Sequence, residues 1–174
     1  MAHARTLSVP ASRRHWLMAA AAVALFGGCG FKLRKAPTFA FQTLVAPLPD
    51  GSPLRRELRQ ALVGAGIQVL DALPPTGADA VLEVLADQRE KSVVGSTAAG
   101  QVREFQLRTR FRFKLGTPKG KELIDSTEIL LQRDISYVET LALSKADEEA
   151  QLYRDMQADI VQQVLRRLAA VRSL

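Results

Sequence analysis

The strictest constraint on the fold is the run from Phe105 to Leu115. Phe105, Leu107, Thr109, Phe111, Phe113 and Leu115 alternate there with Gln106, Arg108, Arg110, Arg112 and Lys114. A repeat of two is incompatible with an amphipathic helix, whose apolar positions recur every 3.6 residues. It predicts an antiparallel strand with one face in a core and one towards water. Such a strand needs pairing partners on both sides and a layer over its apolar face.

The rest of the chain supplies both. Phe41 to Leu48 reads as a first strand, ended by Pro47 and the turn Pro49-Asp50-Gly51. Ser52 offers a helix N-cap and Pro53 suits the first helical position, after which Leu54, Leu58 and Leu62 recur every four residues up to Gly64 and Gly66. Ile67 to Leu70 is a short extended piece, and residues 71–79, with Pro74-Pro75 and Gly77, form a loop. Ala80 to Arg89 is a strand, Ser92 to Gly100 a long hairpin tip, and Glu122 to Ser136 a returning strand after the turn Gly116 to Lys121. Ser144 and Asp147 have capping-box spacing, and Leu152, Met156, Ile160, Val164 and Leu168 place one apolar stripe along a C-terminal helix. A strand-helix-strand crossover is right-handed and makes its strands parallel. The expected fold is therefore α+β: a two-layer sandwich with two helices on one face of a four-stranded mixed sheet, in the order β-α-β-β-β-α.

The N-terminus reads differently. Arg13-Arg14-His15 precedes the apolar run Trp16 to Phe26, which stops at Gly27-Gly28-Cys29, the only cysteine. Eleven apolar residues fall short of the ~20 that a membrane-spanning helix needs, but suit a secretory signal. Small residues directly before a cysteine resemble a bacterial lipoprotein signal, with Cys29 acylated and first in the mature chain. A multiply acylated terminus anchors stably, whereas a single chain anchors only marginally. Gly30, in place of an acidic residue, resembles an outer-membrane address on the periplasmic face. Ser12-Arg13-Arg14 loosely resembles a twin-arginine signal, with ordinary secretory export as the simpler route. The expected organisation is a signal at 1–28, a lipidated tether at 29–40 and one domain at 41–174.

Cleavage before Cys29 would remove both histidines, His3 and His15, the only tryptophan, Trp16, and three arginines with no acidic residue, halving the formal charge of +6. Much of the basicity that would suggest nucleic-acid binding therefore belongs to the leader. Without imidazole, and with its one thiol acylated, the domain lacks the means for Ser-His or Cys-His catalysis and for thiolate or imidazole metal sites. Ser144 and Lys145 are candidates for a Ser-Lys hydrolase only by adjacency, and neighbours on a helix point to different sides. No enzyme activity, metal or cofactor is expected, only a covalent lipid on Cys29.

Two sets of cations stand out. With both helices on one face of the sheet, Arg108, Arg110, Arg112 and Lys114 must share the other. They are either neutralised across strands by Glu83, Asp87 and Glu128, or form a basic surface for phosphorylated or carboxylate-bearing partners. Base recognition is not expected, since no aromatic residue alternates with these cations. Lys145 stands at the start of the last helix, where a cation opposes the helix dipole.

Several segments in their order resemble the LptE family of lipopolysaccharide-assembly lipoproteins. These are Cys29-Gly30-Phe31-Lys32-Leu33-Arg34, the run from Arg56 into Gly66-Ile67-Gln68-Val69-Leu70, Gly100-Gln101 with Glu104-Phe105-Gln106-Leu107, and Leu141-Ala142-Leu143-Ser144-Lys145 with Met156. The resemblance implies a noncatalytic plug within the outer-membrane β-barrel LptD, assisting barrel assembly and contacting lipopolysaccharide on its way to the cell surface. It also implies a lipopolysaccharide-contacting cation at Lys145. A second basic position in the hairpin falls near Ala98, leaving Arg103 or Arg89 to take its place. The other class consistent with these residues is an auxiliary lipoprotein of a different envelope transport or assembly complex.

Overall fold

The computed structural model describes residues 37–74 and 77–174. The expected signal, Cys29 and residues 29–36 of the tether lie outside the described residues. The elements run β1 (Thr43–Val45), α1 (Pro53–Gly64), β2 (Gln68–Leu70), β3 (Ala80–Ser96), β4 (Val102–Gly116), β5 (Glu122–Ser136), one 3-10 turn (Glu139–Leu141) and α2 (Ala142–Ala169). They form one mixed sheet in the order β2-β1-β3-β4-β5.

The α+β class with two helices holds, but the sheet has five strands rather than four. The short piece at Gln68–Leu70 pairs in parallel with β1, matching Thr43 with Gln68 and Val45 with Leu70. Three residues are too few to display a period, so pairing alone reveals it as a strand. β1 also runs parallel to β3, as the crossover requires.

The long hairpin tip expected at Ser92 to Gly100 is also corrected. β3 continues to Ser96, and the turn spans only Thr97 to Gln101, closed by Thr97 N–H donating to Gln101 O at 2.8 Å, with Gly100 at φ +78. Residues beyond Arg89 show no apolar alternation because they are held by the β4 ladder rather than by a core. α2 begins at Ala142, with Leu141 as an N-cap that makes no side-chain hydrogen bond. Ser144 therefore lies within the first turn and makes no capping box, because the 3-10 turn feeds straight into the helix.

Ser52 does cap α1, its hydroxyl accepting from Arg55 N–H at 3.2 Å. Leu54, Leu58 and Leu62 of α1, and Ile160, Val161, Val164, Leu165 and Leu168 of α2, close over Leu44, Leu82, Phe111, Phe113, Leu115 and Ile129 in the main core. A second, smaller cluster joins Leu107, Ile135 and Met156, with Phe105, Leu152 and Tyr153 packed against it. Each fully buried Leu or Phe contributes about 1.5–3 kcal/mol, so the apolar alternation of β4 is the main energetic reason for the helix layer.

Several register shifts interrupt the ladders, among them one in each of β3 and β5 beside the core. In β3 the register with β4 steps between Val84, opposite Phe113, and Ala86, opposite Arg112, leaving Leu85 as the extra residue. In β5 two residues, Asp125 and Ser126, occupy the space between the partners of Phe113 and Leu115. The first bulge turns Asp87 to the helix side, opposite Phe111, where its carboxylate accepts from the Ser52 hydroxyl. At the other end of β3, Asp79 accepts from the backbone N–H groups of Gln42 and Thr43, both at 2.9 Å, and its own N–H donates to the Thr43 hydroxyl at 2.8 Å. These bonds pin the start of β1 to the start of β3.

Two outcomes follow from this packing. Phe111→Ala should lower unfolding stability by about 3–5 kcal/mol in a urea titration, because the site lies where both layers meet. The bond from Gln42 N–H, followed by that from Thr43, holds the Asp79 carboxyl below its ordinary value of 3.8. A lowered folded-state value gives stability that is present above the unfolded value and lost as the pH falls through the folded one. Asp79→Asn should therefore be less stable than the parent at pH 7, with the difference closing once Asp79 is protonated in the folded parent.

Candidate functional site

Strand alternation places the candidate cations on two different surfaces. Arg108, Arg110, Arg112 and Lys114 share the sheet face opposite the helices, since their β4 neighbours Leu107, Phe111, Phe113 and Leu115 are buried beneath α1 and α2. Lys114 pairs with Glu83 at 2.9 Å. Arg108 Nε donates to the Gln106 side chain at 2.7 Å, and Arg110 Nε is buried with no hydrogen-bond partner among the described residues. Glu90 stands opposite Arg108 and Glu128 opposite Arg112 in register. The neutralisation expected from Glu83, Asp87 and Glu128 is thus made by Glu83 alone as a close ion pair. Asp87 is removed from that face by the bulge at Leu85. The cation row remains flanked by rows bearing Glu83 and Glu90 on one side and Glu128 and Asp134 on the other, so this face carries mixed charge.

Lys145 lies elsewhere, at the end of the molecule where the first turns of α2 meet the outer parts of β3, β4 and β5. It lines a cleft with Lys91, Phe105, Ile135, Tyr137, Ala142, Ala146 and Glu149. Its side chain is 17% exposed, and Nζ donates to Glu148 at 2.8 Å and to the Ser136 hydroxyl at 3.1 Å. Lys91 projects to the same side because the β3 bulge shifts its phase, setting it opposite Leu107. Its Nζ donates to Glu149 at 2.6 Å and sits 4.2 Å from the centre of the Phe105 ring. Phe105 meets Tyr137 edge to face, with ring centres 5.2 Å apart.

Lys91 is the residue that the sequence reading missed. It lies beyond the apparent end of the β3 pattern, and only the bulge brings it beside Lys145. Arg103, exposed at this same end, contributes its backbone carbonyl to Tyr137 N–H at 2.7 Å. Arg89, the other cation considered for the hairpin, lies over Tyr153 at 5.1 Å and binds the Gln157 side chain, so it fastens α2 to the sheet. Burial pushes the Tyr153 hydroxyl up, and the negative charge of Glu149 adds to this.

The apolar part of the cleft lining comes from Phe105, Ile135, Ala142 and Ala146, and exposed Val93 lies opposite Phe105 in register. The cleft thus combines two ammonium groups, two carboxylates, an aromatic wall and an apolar lining, which suits an amphipathic anion. Among the described residues no group of His, Cys, Asp or Glu is placed to hold a metal ion, and no helix is long and apolar enough to cross a membrane.

Comparison with known structures agrees with this architecture. Lipoprotein B from Nitrosomonas europaea is 31% identical with a TM-score of 0.67, over 81% of this chain and 91% of that one. Rare lipoprotein B from Shewanella oneidensis is 26% identical with a TM-score of 0.61, over 74% and 94%. A minor lipoprotein from Acinetobacter baumannii shares the fold at 21% identity and a TM-score of 0.61, over 76% and 94%. Comparison with curated protein sequences gives no match. A family model for LptE, described as lipopolysaccharide-assembly, matches residues 37–168, from the lead-in to β1 almost to the end of α2. The chain belongs to the LptE family of lipopolysaccharide-assembly proteins.

Proposed function

We propose that this protein is a noncatalytic lipoprotein held by acyl chains on Cys29 at the periplasmic face of the outer membrane. There it seats within the β-barrel LptD, assists barrel assembly and contacts lipopolysaccharide during delivery to the cell surface. Family membership supports the assembly role. The observation that carries the contact with lipopolysaccharide is the cleft: Lys145 and Lys91 stand within one recess that Phe105, Ile135, Ala142 and Ala146 also line. Lipid A presents phosphates next to acyl chains, which matches ammonium groups in one recess with Phe105, Ile135, Ala142 and Ala146. Ammonium suits phosphate as a point charge, and the apolar lining suits hydrocarbon.

In this reading Lys145 and Lys91 contact phosphate, and Arg103 extends the positive charge along the same end of the molecule. Arg108, Arg110, Arg112 and Lys114 form a separate surface that is available to the barrel wall rather than to the lipid. Alternating charge of this kind sets register and orientation against a polar barrel interior more than it adds affinity.

Two measurements test these assignments. Lys145→Asp should weaken lipopolysaccharide binding on the order of tenfold, the scale of one charge-assisted hydrogen bond, while barrel association is unchanged. Equal lipopolysaccharide affinity for parent and variant would mark Lys145 as ordinary surface. Purification of the lipidated protein from membranes should recover a large outer-membrane β-barrel in stoichiometric amount. Recovery of soluble periplasmic proteins alone would count against the barrel partnership.

A further inference from the structure

The two turns that join the long strands share one backbone design. At the β3–β4 turn Thr97 N–H donates to Gln101 O at 2.8 Å, Gly100 N–H to Thr97 O at 2.9 Å and Gln101 N–H to the Thr97 hydroxyl at 3.2 Å. At the β4–β5 turn Thr117, Gly120 and Lys121 make the same three bonds at the same distances, and the two glycines have φ +78 and +87. Only the side chains differ: Ala98, Ala99 and Gln101 at one turn, Pro118, Lys119 and Lys121 at the other. Turn geometry therefore does not call for the two lysines. Neither Lys119 nor Lys121 has an ion-pair partner among the described residues, whereas Lys91, Lys114 and Lys145 each hold a carboxylate.

These lysines stand where the chain enters the domain. Lys119 and Lys121 line a recess with Pro118, Thr43, Asp79 and Leu174, and Asp79 takes the N–H groups of Gln42 and Thr43, just after the first described residue, Pro37. Cys29 lies eight residues before Pro37, a length that spans at most ~28 Å. The other turn is about 50 Å away, the length of the fifteen residues of β4. Pro118, Lys119 and Lys121 are exposed, as are Leu174 in the same recess and Leu73, which shares a second recess with Pro118 and Lys121. The acids nearby are Glu122, Glu83, which is paired with Lys114, and Asp79, whose carboxylate is taken up by backbone N–H groups. Ammonium groups beside exposed apolar side chains fit a layer of anionic headgroups over hydrocarbon. Resting on the reading that Cys29 is acylated, we propose that the β4–β5 turn docks on anionic phospholipid headgroups, with Lys119 and Lys121 on the phosphates. The acyl chains hold the turn close to the surface, so a contact too weak to recruit a free protein suffices to orient a tethered one. The neutral β3–β4 turn, and the Lys145 cleft at that end, then point away from the headgroups.

The test uses the protein purified from membranes and placed, without any barrel, in nanodiscs of phosphatidylcholine with or without 30% phosphatidylglycerol (about one lipid in three, enough for a negative surface). A trace of lipid with a gadolinium-chelating headgroup broadens the amide signals of residues near the surface. With phosphatidylglycerol present, the amides of residues 117–121 should broaden and those of 97–101 should not. Lys119→Ala with Lys121→Gln gives this turn the residues that its twin carries at the same positions, so the fold is kept. The broadening should then fall at least about fivefold, the change in population that one lysine near an anionic surface accounts for. Ala99→Lys with Gln101→Lys, the reverse exchange, should leave residues 97–101 unbroadened, because the tether holds the other end. Equal broadening of the two turns in the parent, or no loss in the Lys119, Lys121 variant, would overturn the proposal. The mass of the purified protein reports acylation separately. A chain without acyl groups would remove the anchor reading and this proposal together, whereas an acylated chain with an unbroadened β4–β5 turn would remove the proposal alone.

Discussion

The arrangement of the outer half of the molecule depends on one extra residue in β3. Before Leu85 the strand turns Leu82 and Val84 inward and Glu83 outward; after it, Asp87, Arg89 and Lys91 face the helices, and Gln88 and Glu90 face away. A bulge reverses the phase of everything downstream. Here it changes the helix-facing side of β3 from apolar to polar where the core ends. Asp87 then reaches the N-cap of α1, Arg89 reaches Tyr153 and Gln157, and Lys91 reaches Glu149. An unbroken strand would send these three side chains to the opposite face and leave the start of α2 with fewer contacts to the sheet.

The division of labour along α2 follows from the same point. Its C-terminal half packs Ile160, Val164 and Leu168 into the main core, where hydrophobic burial sets the geometry. Its N-terminal half rests on Met156, Leu152 and Tyr153, then on polar links such as the Tyr153 hydroxyl donating to the Glu90 carbonyl at 2.9 Å. Such partly exposed polar contacts contribute little individually, ~0–1 kcal/mol for an exposed ion pair. The helix is thus held firmly at one end and by exchangeable contacts at the other, where the cleft lies.

Which parts of this were legible in the sequence depends on whether a residue's signal was periodic. The β4 alternation, the α1 stripe of Leu54, Leu58 and Leu62, and the α2 stripe gave the layers and the helices, because each pattern records burial. The resemblance carried by several segments in their order, from Cys29-Gly30-Phe31 to Leu141–Lys145 with Met156, gave the family. β2 was missed because three residues show no period, and the outer part of β3 because its residues pack against no core. Lys91 was missed because a bulge has no compositional mark here: Leu85 looks like one more apolar strand residue. The cation row on β4 was placed on the correct face, yet its pairing was misjudged through Asp87 for the same reason.

The bulge at Asp125 and Ser126 has a consequence of its own. Among the described residues β5 is the outermost strand on its side, fifteen residues long with one row of backbone donors and acceptors unpaired, whereas the opposite edge, β2, is only three residues long. A long straight edge invites a second chain to add itself as another strand, which is the first step of aggregation. The extra residue twists the ladder near one end, and Glu122, Asp125, Glu128, Arg133 and Asp134 place charge along it. A folded chain can therefore stand among its own copies without adding strand to strand.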